Sequence, residues 1–280
     1  MLDHVVDVLA CPHCGARMAL DARVLRCANG HAFDVAKQGY VSLLTGDARA
    51  GTADTAAMVA ARAAFLDAGH YAGLARRVTA AVPVGARRVA DLGAGTGYYL
   101  ARVLDARPAA VGVALDVSKF ALRRAARAHE RLGAVAADAW RGLPLRESSV
   151  DVAINVFAPR NSAELRRILA PDGVLVVATP TGAHLAELVE RLGLLRVDKT
   201  KDARLREQLG GDFTLVTADP YTERLALSRA LTRDLVLMGP SAWHVHPAAV
   251  EAAVATLPDP FPVTLSTTVS VFHPRGTSPG

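Results

Sequence analysis

From residue 87 onward, short continuous apolar runs alternate with stretches in which apolar side chains recur every third or fourth position. Continuous runs suit strands buried on both faces, and the helical spacing suits helices covering them, so the region predicts a doubly wound α/β domain on a parallel sheet. Strands are expected over 88–92, 110–116, 134–138, 150–157 and 173–179. Helices are expected over 98–104, from a Ser118 cap through Ala121, Leu122, Ala125 and Ala128, around 165–169, and over 184–192. Two later runs, 213–216 and 262–272, are expected to close the sheet in antiparallel fashion. Upstream, Met58, Ala61, Phe65 and Leu66 share one helical face, with Asp54 or Thr55 as cap and Gly69 at the end. A second helix carries Leu74, Val78 and Val82 and stops at Pro83. The small and polar residues of 45–54 predict a mobile loop. The chain thus divides into 1–36, a connector with a helical hairpin over 37–86, and a sheet domain over 87–280.

The first segment has its own chemistry. All three cysteines, Cys11, Cys14 and Cys27, fall there, with His31 close behind. Cys-x-x-Cys followed by Cys-x-x-x-His supplies three thiolates and an imidazole, the donor set of a closed tetrahedral zinc site, hence a structural metal. Gly15 and Asn29-Gly30 suit the two knuckle turns, and Val24, Leu25 and Arg26 read as the strand between them. His13 is the rival ligand to His31, less well placed between its two cysteines. A disulfide framework is excluded, because three cysteines cannot pair off and no secretory leader is read at the acidic start, where Asp3 and Asp7 stand. A module this short depends on its metal.

With 51% hydrophobic and 21% charged residues, the chain has enough apolar surface to fold. No run approaches the roughly 20 apolar residues of a membrane span, and the expected location is the cytoplasm. A net charge of +5 favours a polyanionic partner. Lys37, Lys119, Lys199 and Lys201 are the only lysines among 32 basic residues, a bias that GC-rich coding also explains. Aromatics at 5% do not advertise an extended base-stacking platform.

A glycine-rich turn, Gly93-Ala-Gly95-Thr96-Gly97, joins the first strand of the sheet domain to its helix, where backbone amides approach a nucleotide closely. A dinucleotide fingerprint requires glycine where Tyr98 stands, which counts against a dehydrogenase. Asp91 ends the strand before the turn and is placed to face a ligand amine. Asp116, closing the next strand, is placed for ribose hydroxyls, and Asp138, closing the third, for an adenine amino group.

This layout resembles the S-adenosylmethionine-dependent methyltransferases of the Rossmann-like class I fold. The whole set of motifs is closer to one family, the bacterial 23S ribosomal RNA guanine-N1 methyltransferases, including the actinobacterial branch that confers resistance to tylosin- and mycinamicin-type macrolides. The resemblance rests on the cysteine knuckles, Phe33-Asp-Val-Ala-Lys-Gln-Gly-Tyr40, Met58-Val-Ala-Ala-Arg62, Phe65-Leu-Asp-Ala-Gly-His-Tyr71, Asp116-Val-Ser-Lys119, Asn155-Val-Phe-Ala-Pro159 and Ala178-Thr-Pro180 with His184. One departure lies before Asp54, where the Gly-Asp of some relatives is missing. The resemblance implies cofactor contacts from Tyr71, Gly95, Thr96 and His184, and zinc on the four knuckle residues.

It also implies a hairpin of 23S ribosomal RNA as substrate; the zinc module is expected to grip it, and Arg17, Arg23 and Arg26 around the knuckles read either as phosphate contacts or as solvated surface charges. The sulfonium methyl is already activated, so alignment with guanine N1 is the chief task, together with removal of the N1 proton. Asp34, Asn155 through a water, and His184 are the candidates for that proton, and the sequence selects none. A small-molecule methyltransferase of antibiotic biosynthesis and a non-catalytic zinc-knuckle RNA-binding protein are the competing readings. A homodimer is left open.

Overall fold

A computed structural model describes residues 1–46, 53–194, 201–243 and 245–276. Three short strands, β1 (Met18–Asp21), β2 (Val24–Cys27) and β3 (Ala32–Asp34), form an antiparallel sheet of their own. After it come β4 (Tyr40–Ser42) and two helices, α1 (Ala56–Asp67) and α2 (Ala72–Ala81). The alternating region follows as β5 (Arg88–Leu92), α3 (Tyr98–Ala106), β6 (Val111–Asp116), α4 (Lys119–Ala125), β7 (Leu132–Ala136), β8 (Val150–Val156), α5 (Ser162–Ile168) and β9 (Leu169–Pro180). The chain ends with α6 (Ala186–Leu192), α7 (Lys201–Leu209), β10 (Phe213–Leu227), α8 (Arg229–Leu237), α9 (Pro247–Ala255) and β11 (Phe261–Pro274).

The large sheet has the order β10-β11-β9-β8-β5-β6-β7-β4. From β4 to β9 neighbours run parallel, and β11 is antiparallel to both β9 and β10. The antiparallel close is as expected, but β10 runs on to Leu227, far beyond 216. Helices α8 and α9, between the closing strands, have no counterpart in the sequence reading.

Both faces of the sheet from β5 to β9 are buried, and the strand period of two sorts the apolar side chains between them. Val174, Val176 and Ala178 of β9 join Phe65, Leu74, Leu100 and Leu122 on one face. Leu175 and Val177 join Leu2, Val5, Leu9, Leu145 and Leu165 on the other. The first residues of the chain therefore cover part of the sheet: a Cβ on Gly133 of β7 would collide with the side chain of Val5. β4, from the segment read as a connector, pairs in parallel with β7 through Tyr40↔Ala134, Val41↔Val135 and Ser42↔Ala136. With three residues and one buried side chain, Val41, between the unburied Tyr40 and Ser42, this strand escapes a hydrophobicity count.

The helix starts follow their caps. Thr55 Oγ1 accepts the Met58 amide at 3.2 Å and Ser118 Oγ accepts the Ala121 amide at 3.3 Å. Gly69, with φ +83°, ends α1 as anticipated. Of the loop expected over 45–54, residues 47–52 lie outside the described residues. Other boundaries move: α4 stops at Ala125, short of Ala128, and Leu169, expected in a helix, opens β9. β7 ends at Ala136, so Asp138 stands beyond the strand, and α6 begins at Ala186, so His184 belongs to the turn before the helix.

A candidate cofactor cavity and a metal cluster

The knuckle turns bring four donors together. Gly15, at φ +69°, sends its amide to Cys11 O at 2.8 Å, and Gly30, at φ +84°, to Cys27 O at 3.0 Å. His31 Nδ1 then lies 3.5 Å from the sulfurs of Cys11 and Cys14 and 3.4 Å from that of Cys27, with Cys14 and Cys27 Sγ 3.8 Å apart. A tetrahedron with Zn–S of about 2.3 Å and Zn–N of about 2.0–2.1 Å has S–S edges of about 3.8 Å and S–N edges of about 3.6 Å. The donor set fits zinc in size as well as in chemistry. Hydrogen bonds from the Ala16 amide, and then from the Asn29 side chain, pull the Cys14 thiol down to about 6, into the thiolate form that ligates. His13 drops out as a ligand, its ring lying 5.0 Å from that of His31 and stacked on Phe33 at 5.8 Å.

At the C-terminal edge of β5 through β9 lies a cavity of about 1330 Å³. That exceeds the roughly 300–1,000 Å³ of a single small-molecule site, leaving room for a nucleoside-sized group and a second reactant. Tyr71, Asp91, Gly93, Gly95, Thr96, Asp116, Asp138 and His184 all line it. Gly97 does not. Its positive φ starts α3, and a Cβ there would meet Ala125 Cα at 3.2 Å, so helix packing requires glycine at this position.

The three acids differ in their partners. Asp91 is buried, with no hydrogen-bond partner on Oδ2 among the described residues, and burial together with the nearby Asp116 pushes its carboxyl up to about 7. An orphaned carboxylate oxygen at a cavity wall fits an incoming cationic donor such as an ammonium. Asp116 Oδ2 accepts the Gly95 amide and Oδ1 the Ser118 amide, both at 2.8 Å, so it shapes the turn while keeping lone pairs for a hydroxyl. Asp138 Oδ1 accepts the Trp140 amide at 3.0 Å, and its Oδ2 lies 3.8 Å from Arg141 Nε.

The candidate proton acceptors fare differently. Asp34 is exposed on β3 and absent from the cavity wall. Asn155 is fully buried and also off the wall, with its Nδ2 bonded to Leu92 O at 3.3 Å and Pro159 O at 2.9 Å. His184 lines the cavity, and its Nδ1 accepts the Ser266 amide at 3.3 Å. In the neutral ring the proton therefore sits on Nε2, which makes that nitrogen a donor.

Other wall residues were not singled out from the sequence. Arg62 pairs with Asp54 and donates to Met238 O at 2.7 Å, while Asp54 O accepts the Ser118 hydroxyl at 2.7 Å, tying the start of α1 to the cofactor side. Trp140 stands 65% exposed at the wall, and Phe157, 38% exposed with φ +55°, has its ring 5.5 Å from that of His184. Arg62 and Phe157 sit inside motifs quoted for the family resemblance, but their roles appear only once the turns are folded. Trp140 had no signal beyond its type.

The sheet order, the antiparallel closing strand and the cavity at the glycine turn define a class I methyltransferase, whose methyl donor is S-adenosylmethionine, with a structural zinc ribbon at its N-terminal end. Comparison with known proteins agrees. Residues 9–48 match the N-terminal zinc ribbon of RlmA, and residues 89–173 match a methyltransferase domain. Among solved structures, YcgJ of Bacillus subtilis superposes with a TM-score of 0.50 at 14% identity, covering 75% of this chain and 100% of that one. A chain from the complex of the Haloferax volcanii Trm112 methyltransferase activator does so with a TM-score of 0.50 at 22% identity, over 79% and 96%. In sequence, the 23S rRNA (guanine(748)-N(1))-methyltransferase of Streptomyces fradiae is 50% identical over 98% of this chain and 99% of its own length. A Micromonospora griseorubida protein named for 23S rRNA guanine-N(1) methylation is 51% identical over 95% and 97%. The chain belongs to the family of 23S rRNA (guanine-N1)-methyltransferases.

Proposed function

We propose that the chain acts in the cytoplasm and transfers the methyl group of S-adenosylmethionine to N1 of a guanine in a hairpin of 23S ribosomal RNA, conferring resistance to tylosin-type macrolides. The observation that carries this reading is near-full-length likeness to the Streptomyces fradiae enzyme in a chain that holds both the zinc donor set and the large cavity. In this reading Asp91 receives the cofactor ammonium, Asp116 the ribose hydroxyls and Asp138 the adenine amino group. The Gly93–Thr96 turn lets the backbone approach the ligand, and Tyr71 and His184 close the wall. Residues 1–36 act as the RNA-gripping module, 37–86 as connector and 87–280 as catalytic domain.

A paired guanine exposes N1 only after leaving its stack, so the RNA has to be held outside the cavity while the base enters it. Arg17 and Arg26 on the ribbon are exposed and suit phosphate contacts, whereas Arg23 donates to Val35 O and Ala36 O at 3.1 and 2.7 Å and serves the ribbon itself. Primer extension on ribosomal RNA from cells with and without the gene tests the reading, because N1 methylation blocks the pairing edge. A gene-dependent stop at one hairpin guanine is expected, with the equivalent of the position named for the Streptomyces fradiae relative the first to inspect. Transfer of label to a small-molecule extract and none to RNA overturns it.

A further inference from the structure

The turn after β8 carries a cation held by neutral partners. Arg160 is half-buried in the cavity wall, its Nε donating to Asn155 Oδ1 at 3.2 Å and its Nη2 to Ala158 O at 3.4 Å. Elsewhere in the wall, Arg62 is paired with Asp54, and Arg141 lies near Asp138. Burial draws the Arg160 guanidinium below its ordinary range, as expected of a charge partly withdrawn from water and paired with no carboxylate among the described residues.

Its placement is built into the fold. Asn155 ends β8 fully buried, and its two bonds to Leu92 O and Pro159 O fix the amide so that Oδ1 meets Arg160. The turn lies hard against the glycine turn, since a Cβ on Gly93 would collide with Ala158. Phe157, at φ +55°, stores backbone strain in the same turn, of the kind that gathers where a fold over-determines a site.

Methylation at N1 requires guanine to give up its N1 proton, and the charge left on the ring spreads from N1 to O6. Resting on the guanine-N1 reading above, we propose that Arg160 is a catalytic residue that donates to guanine O6 and stabilises this charge, and that Asn155 is the positioning residue that aims it. In the step, the N1 lone pair forms the new N–C bond, the electron pair of the methyl's former bond stays on sulfur, and the N1 proton passes to water. A cation fixed in advance in a partly buried wall is worth more to a developing oxyanion than the same cation in solvent, and it needs no reorganisation when the charge appears. This assigns Asn155 a role the sequence reading did not give it: it acts through Arg160 and not as a relay to a base.

The test uses the zinc-loaded full chain and a hairpin transcript, comparing Arg160→Gln and Arg160→Lys with wild type between about pH 6 and 9. Calorimetric binding of S-adenosylmethionine is expected to be unchanged in both variants, which shows that the fold survives. Arg160→Gln should lose on the order of 10²-fold in kcat with little change in KM for RNA. Its kcat should also keep rising at alkaline pH after wild type has levelled, because N1 must now ionise unaided, and Arg160→Lys should recover part of both effects. Placing 6-thioguanine, whose N1 is more acidic, at the target should shrink the Gln deficit. Wild-type kcat in Arg160→Gln overturns the proposal, as does a defect confined to KM with an unchanged pH profile, or loss of cofactor binding in both variants. If wild type itself forms no N1-methylguanine, by mass spectrometry of the digested transcript, it is the substrate reading that fails.

Discussion

Asp91 makes the cavity sensitive to protons, and that sensitivity should be measurable without any RNA. Its carboxyl is moved from the ordinary 3.8 to about 7 by burial, with Asp116 adding to the shift. Holding it ionised in the cofactor-free protein therefore costs up to roughly 4 kcal/mol, an upper figure that side-chain relaxation and entering water reduce. The folded state binds the proton more tightly than the unfolded chain, so this group's contribution to stability falls as pH rises from about 4 to 7. Asp91→Asn removes the penalty and should raise the thermal midpoint of the cofactor-free protein above pH 7 while leaving it little changed at low pH. An ammonium beside Oδ2 reverses the preference, so S-adenosylmethionine binding should expel a proton. Below about pH 7 the wild-type Kd should worsen by up to about tenfold per pH unit, while Asp91→Asn should bind weakly with no such slope. Calorimetry in two buffers of different ionisation enthalpy reads the proton directly, with about half a proton released per cofactor near pH 7. Zero release and a flat Kd from about pH 6 to 7.5, or the same slope in Asp91→Asn, would refute the pairing.

Other substitutions probe the remaining parts. Asp116→Ala should weaken cofactor binding by about 1.5–3 kcal/mol for each hydrogen bond lost to a charged group, and an unchanged Kd would remove the ribose assignment. Metal analysis should find one zinc per chain in wild type, and full zinc occupancy in Cys27→Ala would contradict the ligand set. Replacing Cys11 and Cys14 by Ser should abolish hairpin methylation while cofactor binding persists; the thermal midpoint should fall as well, because Leu2, Val5 and Leu9 share a core with the sheet. Replacing Arg17 and Arg26 by Glu should flatten the salt dependence of RNA binding by about one phosphate contact each, and an unaltered slope would show that the ribbon does not grip the backbone.

Much of the fold was legible because the parallel strands β5 to β9 are buried on both faces, so they announce themselves as apolar runs and the glycine turn as a spacing. The zinc donors were legible for a similar reason: four rare residue types at fixed separations leave few alternatives. β4 was not, because a three-residue edge strand with one buried side chain carries almost no periodic signal and owes its pairing to β7. The extension of β10 to Leu227 was hidden because most of the strand is exposed, and Thr214, Asp219, Thr222 and Arg224 break any apolar run. At the site, residues on the chain's own turn were found and their partners were not. Asp91 was named, but its unpartnered oxygen is a property of what surrounds it. Asn155 looked like a group offered to the substrate, and the fold spends both ends of its amide on the protein.

The pairing of β4 with β7 also has a consequence for the order in which the molecule is made. The knuckle residues leave the ribosome before the strands of the large sheet and can take up zinc on their own local turns, but Tyr40–Ser42 must wait for a strand encoded roughly ninety residues later before it has an edge to join. Until then Leu2, Val5 and Leu9 have no sheet to cover and stand exposed on a nascent chain. Early metal capture would shorten that interval's hazard by holding the apolar residues beside a folded ribbon, so zinc shortage during synthesis should appear first as lost yield of soluble enzyme and only afterwards as lost activity per molecule.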